Sequence, residues 1–89
     1  MLKTKRLQTI VKGFANHRRI QIIELLSLYP EISVSEISNR LKVNFKTISE
    51  HARRLNHSGL ILKRYKGQSV LHVLSPLGKD ILKFLRILE

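Results

Sequence analysis

A run of basic, acidic and amide side chains between residues 44 and 57 has the composition needed to bind nucleic acid. Lys46 or Arg53 could donate to guanine O6 and N7 in a major groove, and Glu50 could accept from cytosine N4. On a helix these three side chains share one face, because residues three, four and seven apart lie close together around the axis. This segment is therefore a candidate recognition helix, and an ordinary solvated helix face is the alternative interpretation.

Outside this segment the reactive residue types form no enzymatic or metal-binding pattern. The chain has no Cys, which excludes disulfides, thiolate zinc ligands and cysteine nucleophiles. His51 and His57 would lie about 240° apart around one helix and therefore share no face. The acidic residues are scattered, and the sequence contains neither a phosphate-binding glycine motif nor a nucleophile elbow. We therefore predict no enzymatic activity, no cofactor and no bound metal.

The charge balance favours an anionic partner. Lys and Arg number 17 against 6 Asp and Glu, which gives a net charge of +11 in 89 residues. Such a field attracts polyanions, either nucleic acid or an anionic membrane surface. Apolar runs are only two or three residues long, which predicts no membrane span, and the N-terminal residues lack the apolar segment of a secretory signal. The predicted location is the cytoplasm, in association with the nucleoid.

Capping residues and apolar periodicity predict three helices before the candidate recognition helix. A first helix over about residues 3–15 has apolar residues at the i, i+3, i+4 and i+7 positions. Asn16 can cap a second helix, which Pro30 ends. Ser33 and Glu36 have the spacing of a capping box, in which the Glu side chain returns to the Ser amide, and they open a short third helix.

The middle of the chain predicts a helix-turn-helix followed by a hairpin. Asn44 can cap the fourth helix after a turn of only two residues, and Gly59 can end it as the C′ residue. Two short helices joined so tightly, over about residues 33–58, are typical of a helix-turn-helix. Two strand-like runs within about residues 60–74 flank Gly67, which allows a tight hairpin turn.

The hairpin and the start of the fourth helix carry further candidates for DNA contact. Lys63, Arg64 and Lys66 suit contacts to phosphates and insertion into a minor groove. The alternative is that these basic side chains protect an exposed edge strand from aggregation. Phe45 is predicted to pack at the edge of the core by its helical angle, with contact to a thymine methyl as the alternative.

The last helix, over about residues 76–88, is predicted to begin at Ser75 and Pro76 as N-cap and N1. Its apolar residues spread over roughly 220°, whereas a core-facing stripe needs about 100°. A twofold homodimer interface, formed together with the first helix, explains the surplus. The residues predicted at this interface are Leu7, Ile10, Val11, Phe14, Ile81, Leu82, Phe84, Leu85 and Leu88.

Together these elements predict one domain over residues 1–89, of mainly α (α+β) class. The predicted architecture is a winged helix-turn-helix with about five helices and a two-stranded β-hairpin as the wing.

The chain from Phe14 to Pro76 resembles the ArsR-type winged helix-turn-helix transcriptional repressors. In that family an Arg precedes an Ile/Leu-rich run in the second helix, and a short third helix leads to the recognition helix and the wing. The segments that carry the likeness are ANHRRIQIIELL (15–26), SVSEIS and the residues through Leu41 (33–41), TISEHARRL (47–55), SGLI (58–61) and YKGQ (65–68), followed by the strand that leads to Ser75-Pro76.

The resemblance implies a dimeric DNA-binding regulator whose first and last helices form the dimer interface. It also implies a DNA-reading stretch made of Asn44, Phe45, Lys46, Thr47, Ser49, Glu50 and His51, to which the helical pattern adds Arg53 and Arg54. Metal-sensing members carry a Cys-x-Cys-type site near the start of the third helix or an Asp/His site on the last helix. Here residues 34–37 contain no Cys, and the last helix has Asp80 but no His, which favours a non-metal signal or constitutive binding.

Three functional hypotheses follow. The leading one is a homodimeric, sequence-specific regulator, a repressor that binds double-stranded DNA at a palindromic operator and occludes a promoter. The second is a nonspecific architectural or chromatin protein that binds phosphates alone. The third is a winged helix used for protein interaction, which the charge of +11 disfavours. Glu50 favours the first hypothesis over the second, because a carboxylate on the reading face penalises indiscriminate phosphate contact.

Overall fold

The computed structural model describes residues 2–89 as five helices and one β-hairpin. In chain order the elements are α1 (Leu2–Phe14), α2 (His17–Leu28), α3 (Val34–Leu41), α4 (Phe45–His57), β1 (Ile61–Lys66), β2 (Ser69–Leu74) and α5 (Pro76–Ile87). This order confirms the predicted winged helix-turn-helix. None of the helices within residues 2–89 is long and apolar enough to cross a membrane.

Side-chain caps set the helix starts, as the sequence predicts. Four side-chain oxygens accept hydrogen bonds from amides in the first turn of the helix that follows; they belong to Asn16, Ser33, Asn44 and Ser75. The predicted capping box is formed by its Ser33 half, while the Glu36 carboxylate pairs with the Arg40 guanidinium at 2.9 Å. A capped start sets the helical phase, and the phase decides which side chains face the core.

The turn between α3 and α4 holds the two helices at a defined angle. Lys42 adopts the left-handed backbone conformation at φ 56°, which costs a non-glycine residue roughly 1 kcal/mol. Two hydrogen bonds close the turn: the Val43 amide donates to the Ser38 carbonyl at 3.1 Å, and the Ser38 hydroxyl donates to the Val43 carbonyl at 2.6 Å. Helix α4 is therefore positioned by backbone and side-chain bonds as well as by packing.

One apolar core joins the helices to the base of the hairpin. Its fully buried side chains include Ile22, Ile23, Ile37, Ile48, Leu55, Leu60 and Ile61. Phe14 and Leu82, both predicted at a dimer interface, are only 8% and 7% exposed and belong to this core. Both side chains are therefore buried within one chain and leave little surface for a partner. Each helix packs the middle of its apolar stripe against the core, and only the flanking apolar residues stay exposed.

The hairpin is antiparallel, with a two-residue turn in which Gly67 has φ +61°. Its base is fixed to the helical body by the segment before α3. The His72 amide donates to the Ile32 carbonyl at 2.8 Å, and the Ile32 amide donates back at 3.4 Å. The end of the hairpin nearest the helices is therefore buried against the core, while the end with the turn is exposed.

Candidate nucleic-acid interface

Helix α4 has the two faces that the sequence predicts. Ile48, Ala52 and Leu55 are buried against the core, and the opposite side is open to solvent. The predicted contact residues that are exposed on this helix and its cap are Asn44, Phe45, Lys46, Thr47, Ser49, Glu50, Arg53 and Arg54. Because the buried stripe fixes the rotation of the helix, these polar groups are presented together.

An ion-pair network organises the centre of the exposed face. The Glu50 carboxylate accepts hydrogen bonds from Arg53 at 2.6 and 3.0 Å and from Arg54 Nε at 3.3 Å. The hydrogen bond with Arg53 is the main cause that lowers the Glu50 pKa to about 2, so this group is ionised at neutral pH. Both carboxylate oxygens are engaged by Arg53. Glu50 can therefore accept from a cytosine amino group only if it shares or releases that guanidinium.

His51 differs from its neighbours, because it turns toward α2. The side chain is half-buried, and its covered Nδ1 atom has no hydrogen-bond partner within the described residues. Burial and the nearby positive charge of Arg19 lower the His51 pKa, so the ring is neutral at pH 7. The structure thus places His51 beside the exposed reading face and not on it.

The prediction that Phe45 packs at the core edge is wrong. Its side chain is 56% exposed. Residues 44–47 are all exposed, because the first turn of α4 extends past the elements that cover the middle of the helix. Helical angle alone places Phe45 near the apolar stripe, yet more than half of the side chain stays exposed where it borders the groove. The alternative interpretation, in which the ring is free to contact an apolar base edge, is compatible with this position.

A groove of about 490 Å³ separates α4 from the wing. It is lined by the beginning of α3, one side of α4 and the inner face of the hairpin, and Phe45, Ser49 and Arg53 form part of its α4 side. Lys63 and Val70 border it from the two strands. A groove with mixed apolar and basic walls beside an exposed helix can follow a sugar-phosphate backbone.

The base of this groove holds a buried histidine, His72, which is 3% exposed. The Asn56 amide nitrogen donates to the Ala52 carbonyl at 2.9 Å and lies 3.4 Å from His72 Nδ1. Because that amide nitrogen is a donor, Nδ1 must be the acceptor, and the ring is neutral with its proton on Nε2. Burial, followed by the positive charge of Lys63, lowers the His72 pKa. Among residues 2–89 no group of three or more His, Cys, Asp or Glu side chains is arranged to hold a metal.

The register of the hairpin divides the predicted wing residues between two faces. Lys63 pairs across the strands with His72 and faces the groove. Arg64 lies on the opposite face, where its Nε is 3.7 Å from the Glu31 carboxylate. Lys66 follows at the turn, on the same side as Arg64 by strand alternation. The structure therefore brings only Lys63, of these three, toward the recognition helix.

Sequence reasoning missed an exposed aromatic residue, Tyr65. It is 72% exposed, and strand alternation places it on the same face of the wing as Lys63 and opposite Val70. Side chains two residues apart on a strand share a face, so Tyr65 could have been predicted as a neighbour of Lys63. An exposed aromatic ring next to a basic side chain can contact sugars and bases while the cation contacts phosphate.

The sequence and fold are similar to those of known regulatory proteins. The family described as bacterial regulatory protein, arsR family, matches residues 16–63. Over 66 residues the chain is 39% identical to the transcriptional activator HlyU of Vibrio cholerae serotype O1, a match that covers 74% of this chain and 60% of that protein. Over 67 residues it is 36% identical to the arsenical resistance operon repressor of Escherichia coli K12, with coverage of 75% and 57%. The matched segment thus spans less than two-thirds of each relative, and both are regulators by description.

Solved structures agree on the fold. HlyU from Vibrio cholerae N16961 has a TM-score of 0.83 at 33% identity, covering 97% of this chain and 94% of that one. A homodimeric winged helix-turn-helix DNA-binding domain from Mycobacterium bovis has a TM-score of 0.88 at 23% identity, covering 98% and 81%, and shows the fold alone. The family match extends over more than half of the chain, from the cap of α2 into β1, and the chain therefore belongs to the arsR family of bacterial regulatory proteins.

Proposed function

We propose that this protein is a sequence-specific, double-stranded DNA-binding transcriptional regulator that acts as a homodimer on a palindromic operator of the nucleoid. The observation that carries the proposal is the exposed face of α4, where hydrogen-bonding side chains are held in one rotational phase by the buried stripe of Ile48, Ala52 and Leu55. One basic side chain of the wing, Lys63, stands across the groove from that face. This arrangement lets one helix enter a major groove while neighbouring cations contact the backbone.

The first two turns of α4 carry the base-reading role in this proposal. Lys46 and Ser49 are exposed there and have donors of suitable length for base edges. Phe45 supplies an apolar surface that suits a thymine methyl group. Arg53 and Lys63, on the two sides of the groove, contact phosphate, and the network with Glu50 sets how far Arg53 can extend.

The dimer in this proposal forms through the exposed apolar side chains of α1 and α5. Leu7 and Val11 on α1, and Phe84 and Leu88 at the end of the chain, are each about half exposed or more, whereas Ile10, Ile81 and Leu85 lie partly buried against the core. A twofold axis through such a surface covers it and places two copies of α4 about one turn of DNA apart, roughly 34 Å. A palindromic operator follows from that symmetry.

Repression by occlusion is the proposed outcome, since two recognition helices and two wings on one site would cover promoter DNA. The relatives include proteins described as a repressor and as an activator. A reporter gene with the operator overlapping its promoter tests the direction. Expression that falls when the protein is supplied supports repression, and expression that rises assigns activation.

Selection of binding sites from random duplex DNA, performed at two salt concentrations, tests the proposal itself. The expected result is an inverted repeat with half-sites about 10–11 base pairs apart, enriched at both concentrations. Binding that has no preferred sequence and collapses as salt rises would replace the proposal with architectural, phosphate-driven binding. Failure to bind any duplex would point to the protein-interaction hypothesis.

A further inference from the structure

A second cavity lies on the other side of α4, away from the wing. It has a volume of about 360 Å³ and is enclosed by the last turns of α1, the beginning of α2 and the C-terminal half of α4. Its described lining residues are Thr9, Lys12, Gly13, Arg19, Arg53, Arg54, His57 and Ser58. Four of them carry a permanent positive charge, and none of these eight is acidic.

Arg19 is held in place at this cavity by the end of α1. Its Nη1 atom donates to the carbonyls of Lys12 at 3.1 Å and Gly13 at 3.2 Å. The Nε atom is buried and has no hydrogen-bond partner within residues 2–89. Burial, followed by the nearby charge of Arg54, lowers the Arg19 pKa, as expected for a cation crowded by a like charge. The guanidinium is therefore preorganised and only partly satisfied.

Among residues 2–89, the four cations around the cavity have one carboxylate, Glu50, between them. Glu50 directs its shortest hydrogen bonds to Arg53 and reaches Arg54 with a single longer one of 3.3 Å. Neither Lys12 nor Arg19 forms an ion pair among the residues that the structure describes. Three positive groups from three different helices thus converge on one space with, at most, a share of one negative charge.

The close packing of α1 against α4 creates this space. Gly13 is a helical residue, and a Cβ atom there would collide with the Ser58 side chain. The absence of a side chain at Gly13 lets α1 approach the end of α4 and brings Lys12 near Arg54. The cavity is therefore built by the helix packing, and its charged groups do not converge through the flexibility of surface side chains alone.

We propose that this cavity binds a phosphate group through Lys12, Arg19 and Arg54. A phosphate presents several oxygens to donors that come from different directions, which suits two guanidinium groups and an ammonium better than a single carboxylate does. The phosphate comes either from the DNA backbone or from a free phosphorylated small molecule. Either source draws Arg54 away from Glu50, and the cavity is thereby coupled to the reading face of α4.

The first experiment uses inorganic phosphate and a nucleoside monophosphate as separate probes on the DNA-free protein. Amide chemical shifts are followed by NMR at constant ionic strength, with chloride as the balancing anion. Saturable shifts are expected at Gly13, Arg19 and Ser58, and they should weaken at least fivefold in Lys12→Ala. Lys83→Ala removes the same charge from an exposed site on α5 and should leave the titration unchanged.

The second experiment, which rests on the proposed DNA binding, measures affinity for one duplex as a function of salt. A backbone phosphate in the cavity predicts that Lys12→Ala makes log K fall less steeply with log salt, by about 0.9 for each copy and so by about 1.8 for the proposed dimer, while Lys83→Ala leaves the slope unchanged. Saturable binding of the small probes with an unchanged slope assigns a free phosphorylated ligand, and a reduced slope assigns the DNA backbone. Equal slopes for the two variants together with no saturable shift overturn the proposal. If wild type binds no DNA, the NMR titration still decides.

Discussion

Helices α4 and α5 are nearly the same length, 13 and 12 residues, and both are amphipathic, yet the faces they leave outside have opposite chemistry. The outer face of α4 is charged and polar. On the last helix and its cap, Phe84, Ile87 and Leu88 are 47%, 78% and 65% exposed. Exposed donors and acceptors form hydrogen bonds with water, and an anion or a base edge can replace that water. Exposed apolar surface cannot do so, and its burial by a partner lowers the free energy. The outer face of α4 therefore suits a polar ligand, and that of α5 suits an apolar partner, as the proposed function requires.

The two helices also differ in how firmly one chain holds them. Helix α4 packs against α1, α2, α3 and β1, and it buries three side chains in the core. Helix α5 packs mainly on α2 and β2, with Leu82 as its buried apolar anchor. The reading face is thus positioned within a single chain, and the proposed dimer face depends on a second copy for its cover. Three predictions test this difference, beginning with the largest expected effect, and a fourth concerns the buried histidine of the wing.

Phe84→Glu should weaken dimerisation by about 100-fold or more. The proposed twofold interface would bury one ring from each copy, and loss of roughly 1.5 kcal/mol from each gives about 3 kcal/mol in total. Sedimentation velocity over a concentration series measures the change. Lys79→Glu introduces the same carboxylate on the polar side of α5 and should have a much smaller effect. A dimer constant that is unchanged in Phe84→Glu would remove α5 from the interface.

Lys46→Ala should lower affinity for the selected operator by roughly 10- to 30-fold, corresponding to about 1.4–2 kcal/mol, with a much smaller loss on unrelated DNA. Fluorescence anisotropy on both duplexes measures the ratio. Arg64→Ala is the matched control, because Arg64 faces away from the groove toward Glu31. Equal losses on operator and unrelated DNA would show that Lys46 contacts phosphate and does not read bases.

Glu50→Gln should increase affinity for unrelated DNA by about fivefold and make its salt dependence steeper. The carboxylate is removed, Arg53 and Arg54 are released, and a repulsive charge on the reading face disappears. Glu36→Gln breaks a similar exposed pair, with Arg40 on α3, and serves as the control. Unchanged binding in Glu50→Gln would mean that the network does not limit the reach of the two arginines.

The smallest effect concerns pH. His72 is neutral in the folded protein, and its pKa is lowered by burial and by Lys63, so the unfolded chain binds more protons near and below its ordinary pKa of about 6.5. The contribution to stability is full above that pKa and is lost as pH falls through the lowered folded pKa. His51 acts in the same direction, because its pKa is lowered mainly by burial.

Thermal unfolding between pH 8 and pH 5 measures this loss, which we expect on the order of a few °C. The groups around His72 are Lys63 across the strand and Arg53 and Glu50 along the groove. His72→Gln should flatten the pH dependence, because it removes the buried group whose pKa is lowered. The same slope in His72→Gln and wild type would contradict the assignment of a neutral ring.

Local signals in the sequence determined the elements and their order. Asn16, Ser33, Asn44 and Ser75 cap their helices as predicted, because capping needs only a side chain and amides two or three residues away. The buried stripe of α4 follows from residues three and four apart, and Gly59 takes its left-handed conformation directly after the helix C-cap, so both were readable from nearby residues. The charge of +11 needed no structure to indicate a polyanionic partner.

Only the tertiary structure decided which neighbour covers each face. Periodicity placed Phe45 at the core edge and Leu82 at an interface, but the first is exposed and the second is in the core. The register of the wing separated Lys63 from Arg64, and the collision avoided at Gly13 brought the cations of α1, α2 and α4 together. A helical or strand period specifies the direction of a side chain from its own axis. What that side chain meets depends on how distant segments pack, which no local spacing encodes.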